Sequence, residues 1–388
     1  MWIFDDIERN YKGRAAFNES TYEYLNRSAR ETSAKIRNLI EEWFANYPDN
    51  EKTELATRLK TRNNIEFQAA FFELYCFTLF SKQGFILEPH PAIENTDKHP
   101  DFLVYKDGTP IFYLECTLAS FSAEENAVQR TEKQIIDLLN QLETPEYFIL
   151  QKIITRDILS PSVSKMRKYL QRKISSMNKD AFSKFIIDPK IKNLPQWEWK
   201  DTKTNWQLLF SPIPKSEKII GKENIRSIGM ILKNAKFLDS TESLRNSLRK
   251  KANRYGKNLK YPYYIAVNCL DPTTDEYDID DVLFGTKCIY INTNTGETLP
   301  GRKDDGFWCN LRNPKNIQVS GILIGVGIDP YTIARNALVL WENPWANKKF
   351  IDVYSGPKKI PNVEKRVMEH IEGIKIDEIL GISEEWPN

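Results

Sequence analysis

Residues 101–117, DFLVYKDGTPIFYLECT, admit few folds. Two runs of aromatic and branched residues, Asp101–Tyr105 and Ile111–Thr117, flank Lys106–Pro110, which contains an Asp-Gly pair. This combination predicts a β-hairpin with a loop of about five residues. If Tyr105 pairs with Ile111, antiparallel register makes the residue numbers of each pair sum to 216, and Asp101 faces Glu115 across the strands. Thr117 projects from the same side, and Phe112, Leu114 and Cys116 from the other. Two opposed carboxylates repel unless a cation lies between them, and hard oxygen ligands so placed suit Mg²⁺ or Mn²⁺. The plain alternative is a hairpin with its acids on a solvent-exposed side.

The segment before the hairpin reads as a helix over Ile65–Lys82 that is apolar nearly all round and ends at Gly84, so it should be buried on more than one side. Glu73 lies on it among Ala69, Ala70, Cys76, Phe77 and Phe80, and a charge there needs a partner: a shared metal ion, a nearby lysine, or an exposed position. Charged and apolar residues alternate at helical spacing over 20–60. After the hairpin, a helix over 123–142 and a strand over Tyr147–Ile153 follow. A basic helix near 162–177, a Trp-rich strand near 197–210 and a helix near 240–255 come next, and then apolar strands at Tyr263–Asn268 and Ser320–Ile328.

At 388 residues the chain can bury a substantial core. The expected division is an N-terminal helical extension over 1–60, a core over 61–160, a basic Trp-containing insertion or second domain over 161–260, and a C-terminal α/β part over 261–388 that could complete the same sheet. Five scattered cysteines without CxxC spacing indicate neither a disulfide framework nor a zinc knuckle. With three histidines, His90, His99 and His370, carboxylate chemistry is favoured over a histidine-based centre or triad. His99 is a secondary candidate beside Pro100. The N-terminus lacks the layout of a signal peptide, and no apolar run nears the roughly 20 residues that cross a bilayer, so a cytoplasmic chain with no membrane partner is expected.

Charge is unevenly spread. Residues 165–260 carry 24 Lys and Arg against 8 Asp and Glu, a local +16 that the remaining −14 brings to +2 for the chain. Tyr169, Trp197, Trp199, Trp206, Tyr255 and Tyr261 are threaded through this stretch, and cations with stacking rings suit a phosphate backbone and unpaired bases. The nucleic-acid-binding candidates are Lys165, Arg167, Lys168, Arg172, Lys250, Lys251 and Arg254; a lysine-rich solvated surface is the alternative. Two other motifs carry less. The acids Asp271, Asp275, Asp278, Asp280 and Asp281 lack the glycine and terminal glutamate of an EF-hand loop, and GILIGVGI lacks the turn of a dinucleotide or P-loop site.

An acid on a buried helix, then HPDF at 99–102 and YLECT at 113–117, in the order αβββαβ, resembles the PD-(D/E)xK nuclease superfamily. The chain also resembles an uncharacterised bacterial set with FFELY, PDFLV and E-x-T motifs, a K-x-x-x-Y-G segment and a PYYIAVN-like strand. The superfamily resemblance implies a restriction-endonuclease-like mixed α/β sheet flanked by helices. It implies Asp101 and Glu115 as ligands of Mg²⁺ or Mn²⁺, and Glu73 as the helix-borne acid. Position 117 is where that pattern places lysine, and here it is Thr117. A cation could come instead from Arg130 or Lys133, or from Lys251 and Arg254 ahead of Tyr255-Gly256; Gln129 could serve as a neutral donor. The expected activity is metal-dependent hydrolysis of DNA, with defence against foreign DNA as the analogous role and a homodimer allowed. The alternatives are a nuclease-like module that binds nucleic acid without cutting it, and a scaffold of a larger complex.

Overall fold

The computed structural model of the chain describes all residues except 95, 143–146, 178–194, 217, 221–225, 233–239, 257–258, 309–312, 350–352 and 363–366. It divides into two units, one of Met1–Lys12, Ser20–Phe121 and Asp239–Asn388, the other of Gly13–Glu19 and Ser122–Leu238. The boundaries expected at 160 and 260 therefore differ from those of the structure. The basic stretch is split: its first part belongs to the second unit, and Lys250, Lys251 and Arg254 belong to the first.

The first unit is built on a mixed sheet of eight strands. Its N-terminal helices, α1 (Thr21–Arg27), α2 (Glu31–Ala45) and α3 (Lys52–Leu59), precede α4 (Asn64–Lys82). Helix α4 starts where the Asn63 side chain accepts from the Ile65 N–H, and it is buried continuously from Ala70 to Phe80. Strands β1 (Ile86–Pro89), β2 (Phe102–Lys106) and β3 (Thr109–Ala119) follow as an antiparallel meander.

The β2–β3 turn is tighter than the sequence suggested. Only Asp107 and Gly108 lie between the strands, with φ of 49° and 74°, the two positive values that a two-residue turn matching strand twist requires. Tyr105 therefore pairs with Pro110 rather than Ile111, and a register shift between Val104 and Tyr105 returns the ladder to Phe102 opposite Leu114. Asp101, one residue before β2, arrives beside Glu115 by this corrected route.

The second unit holds α5 (Ala123–Asn140), β4 (Tyr147–Thr155), α6 (Val163–Ser175), β5 (Trp197–Lys200), β6 (Gln207–Pro214) and β7 (Ile228–Leu232). Its four strands form a separate sheet in the order β5-β6-β4-β7. The αβββαβ order is thus met differently from the expectation, because β4 does not join the sheet of β3. Instead the chain re-enters the first unit at α7 (Ser240–Ala252), and β8 (Tyr263–Cys269) lies parallel to β3, with Glu115 opposite Ile265.

Beyond β8 come α8 (Glu276–Phe284), a two-stranded ribbon of β9 (Lys287–Ile291) and β10 (Thr298–Arg302), and then β11 (Gly321–Val326), β12 (Val339–Glu342), β13 (Lys358–Asn362), β14 (Val367–Ile371) and α9 (Ile376–Leu380). The large sheet runs β1-β2-β3-β8-β11-β12-β13-β14, so residues after 261 do complete it. Its period of two sorts side chains between two cores. Phe112, Leu114, Cys116, Tyr264, Ala266 and Leu323 pack toward α4, while Tyr113, Tyr263, Ile265, Val267, Ile322 and Ile324 pack with Leu244 and Leu248 of α7. Neither face of β3 is wet, which removes the solvent-exposed hairpin as an explanation for its acids. Among the described residues no helix is long and apolar enough to cross a membrane.

Candidate active site

Helix α7 is laid along β3 by matched spacing. The Ser243 hydroxyl donates to the Ser120 carbonyl at 2.7 Å and the Ser247 hydroxyl to the Leu118 carbonyl at 3.0 Å. Four residues of helix rise about 6 Å and two residues of strand about 6.6 Å, so these two backbone contacts stay in step along α7 and β3. One helical turn beyond Ser247, the Lys251 ammonium donates to the Glu115 side chain at Oε1.

Past the helix end, the Tyr255 hydroxyl contacts Glu115 Oε2 and the His99 carbonyl, the latter at 2.8 Å. Arg254 places Nη1 3.6 Å from Glu115 Oε1. Gly256, with φ of 78°, takes the left-handed conformation that glycine adopts without strain, just after Tyr255. Glu115 is 1% exposed, so this carboxylate is removed from water and bound by a lysine and a phenol at once.

Asp101 sits one strand away. Its Oδ2 accepts from the Cys116 N–H at 2.6 Å. Burial, then the neighbouring Glu115 and Glu73, push its carboxyl well above the usual range, while Lys251 and the Cys116 N–H act in the opposite sense. Burial and Glu115 likewise raise the Tyr255 phenol, which keeps its proton and remains a donor. Asp101 is thus in electrostatic reach of acids on both sides of the sheet.

Glu73, on α4, is buried, and its charge is answered within the protein. Arg58 Nη2 lies 2.5 Å from its Oε2, and the Tyr47 hydroxyl donates to its Oε1 at 2.8 Å. The ion-pair alternative is what the fold uses, with an arginine from α3 in place of a lysine; a shared metal ion is not needed to explain Glu73. Burial and the Glu73 charge raise the Tyr47 phenol, which therefore stays protonated.

The remaining candidates are dispersed. Thr117 is half-buried opposite Val267 and supplies no charge. Lys133 and Arg130 are exposed on α5, in the second unit. Lys165, Lys168 and Arg172 are exposed on α6 and Arg167 is half-buried there; Lys250 is exposed on α7. Lys251 and Arg254 are thus contacts of Glu115 before they are surface cations.

The stacking groups expected of the basic stretch are mostly core. Trp197, Trp199 and Trp206 are buried with Met166 and Leu170 of α6, and Tyr255 is buried at Glu115. His99 is tied down through Nδ1, 3.0 Å from the Pro91 carbonyl. Reading by residue type missed Tyr47, Arg58 and the role of Tyr255. The helix expected near 240–255 takes in Tyr255, whereas α7 ends at Ala252 and Tyr255 reaches Glu115 from the turn that follows.

Among the described residues no group of three or more His, Cys, Asp or Glu side chains gathers as a metal cage. Mg²⁺, however, keeps several waters and needs only one or two carboxylates from the protein, a donor set that Asp101 and Glu115 match. Comparisons with protein-family models, with curated proteins and with solved structures find no match to this chain.

Proposed function

We propose that the first unit is a restriction-endonuclease-like, metal-dependent nuclease that hydrolyses phosphodiester bonds in DNA, with its site at Asp101, Glu115 and Lys251. The observation that carries this reading is the contact between Lys251 and Glu115, because it restores from α7 the positive charge that Thr117 does not provide. Asp101 and Glu115 would hold Mg²⁺ or Mn²⁺. When bound, such an ion polarises the phosphate and lowers the pKa of an attacking water.

The other roles belong to the chain itself. Lys251 would offset negative charge growing on the phosphate, in a site dry enough for that charge to count. Tyr255, bridging Glu115 and the His99 carbonyl, fixes the rotamer of Glu115 against the loop that leads into Asp101. Defence against foreign DNA is the biological setting this chemistry suits.

A second reading, a nuclease-like module that binds without cutting, rests on a specific feature: both oxygens of Glu115 are already engaged by Lys251 and Tyr255. Cleavage separates the two. Incubated with DNA and Mg²⁺ or Mn²⁺, the purified chain is expected to nick or degrade it, and Asp101→Ala is expected to reduce the rate by about 10³-fold, the upper end for losing one preorganised electrostatic group. Undiminished cleavage by Asp101→Ala would sink the site assignment, and inactivity of both proteins would leave the binding module.

A further inference from the structure

The second unit has its own cation-bearing surface, and its chemistry can be read independently of Glu115. Helix α6, sequence VSKMRKYLQRKIS, carries Lys165, Arg167, Lys168, Arg172 and Lys173 and no acid. Met166 and Leu170 anchor it on the core of the unit, so the opposite face is fixed outward. Lys165, Lys168, Arg172 and Lys173 are exposed there, with Gln171 and Ser175 between them.

A shallow groove on that face is lined by Lys168, Gln171, Arg172, Ser175 and Ser176. Among the described residues no carboxylate pairs with Lys165, Arg167, Lys168 or Arg172. Like charges stacked at helical spacing repel and destabilise a helix, and an external polyanion relieves that repulsion.

The kind of polyanion follows from what the surface lacks. Proteins that hold single strands stack the bases on exposed aromatic rings. Among the described residues of the second unit no aromatic side chain is exposed: the three tryptophans are in the core, and the half-buried Tyr169 has its hydroxyl committed to the Glu198 carbonyl and Lys173 over its ring. Among the described residues, cations with serine and glutamine and no exposed ring match a paired backbone, whose bases are already stacked.

We infer that the exposed face of α6 is a docking surface for duplex DNA, gripping its phosphates through Lys165, Lys168 and Arg172. The inference rests on the nuclease reading for its choice of DNA, and it assigns the grip to a unit other than the one that would cut.

The test uses the full chain with Asp101→Asn, so that bound DNA stays intact, and measures fluorescence anisotropy with a short random-sequence duplex and with the matching single strand. Duplex is expected to bind more tightly than single strand. Adding Lys165→Ala, Lys168→Ala and Arg172→Ala removes three phosphate contacts and should reduce the slope of log affinity against log salt by about 2.7. The affinity ratio of the two proteins should then shrink about 40-fold between 50 and 200 mM salt. The charge-conserving set Lys165→Arg, Lys168→Arg and Arg172→Lys should keep most of the binding, which a merely structural role would not distinguish.

Equal or tighter binding of the single strand, unchanged duplex binding by the alanine variant, or no binding of either DNA overturns the inference. A chain that cuts DNA whether or not α6 keeps its cations also overturns it, while leaving the nuclease reading in place. One that binds duplex through α6 but never cuts supports the inference and removes that reading.

Discussion

Lys251→Met is expected to slow metal-dependent DNA cleavage by about 10²–10³-fold and to destabilise the first unit by about 3 kcal/mol. Both effects come from one contact. The Lys251 side chain is 17% exposed and the Glu115 side chain 1%, and breaking a buried pair leaves a charge that neither water nor protein solvates well. Arg254, 3.6 Å from the same oxygen, remains to answer part of that charge, which puts the cost at the lower end of the range. Methionine keeps the length of the stem, so lost packing does not explain the result. Cleavage rates and urea denaturation check the two effects separately. Lys251→Arg should recover most of the stability; wild-type cleavage by Lys251→Met would show that the positive charge has no part in the chemistry.

Arg58→Met should cost about 3–5 kcal/mol, the largest stability loss expected of any single charge removal in the first unit. It strands Glu73, whose side chain is 5% exposed, on a helix buried continuously from Ala70 to Phe80. Tyr47 still donates to one oxygen, but a phenol does not cancel a charge. Adding Glu73→Gln to Arg58→Met should restore most of the loss, because the pair is then replaced by neutral groups rather than broken. Denaturant midpoints of the two single variants and the double variant give the coupling directly, and additive losses would show that Glu73 is not held by Arg58.

The site was legible in the sequence only where it is local. Asp101, Glu115 and the sidedness of β3 follow from alternation and from the Asp-Gly turn, and a misjudged turn length was absorbed by the shift at Val104 and Tyr105. The neighbour of β3 was not legible. Residues 122–238 belong to a second unit, so the parallel partner and the helix over Glu115 come from beyond 239, a separation no periodicity reveals.

The tryptophans illustrate a second limit. Their place in a basic stretch suggested stacking on bases, yet Trp197 and Trp199 alternate with Glu198 and Lys200 in β5, a half-buried strand pattern that points the rings into the core. Composition describes a segment, whereas the pattern within it decides which residues reach the surface.

Whether Asp101 and Glu115 hold a cation is tested most directly by calorimetric titration of Mn²⁺ into the wild-type chain and into Asp101→Asn. Asparagine still accepts the Cys116 N–H through its amide oxygen, so this variant removes the charge and keeps the loop in place. Saturable binding by the wild-type chain and none by Asp101→Asn is the expected result. Identical isotherms for the two proteins, or no binding by either, would contradict it.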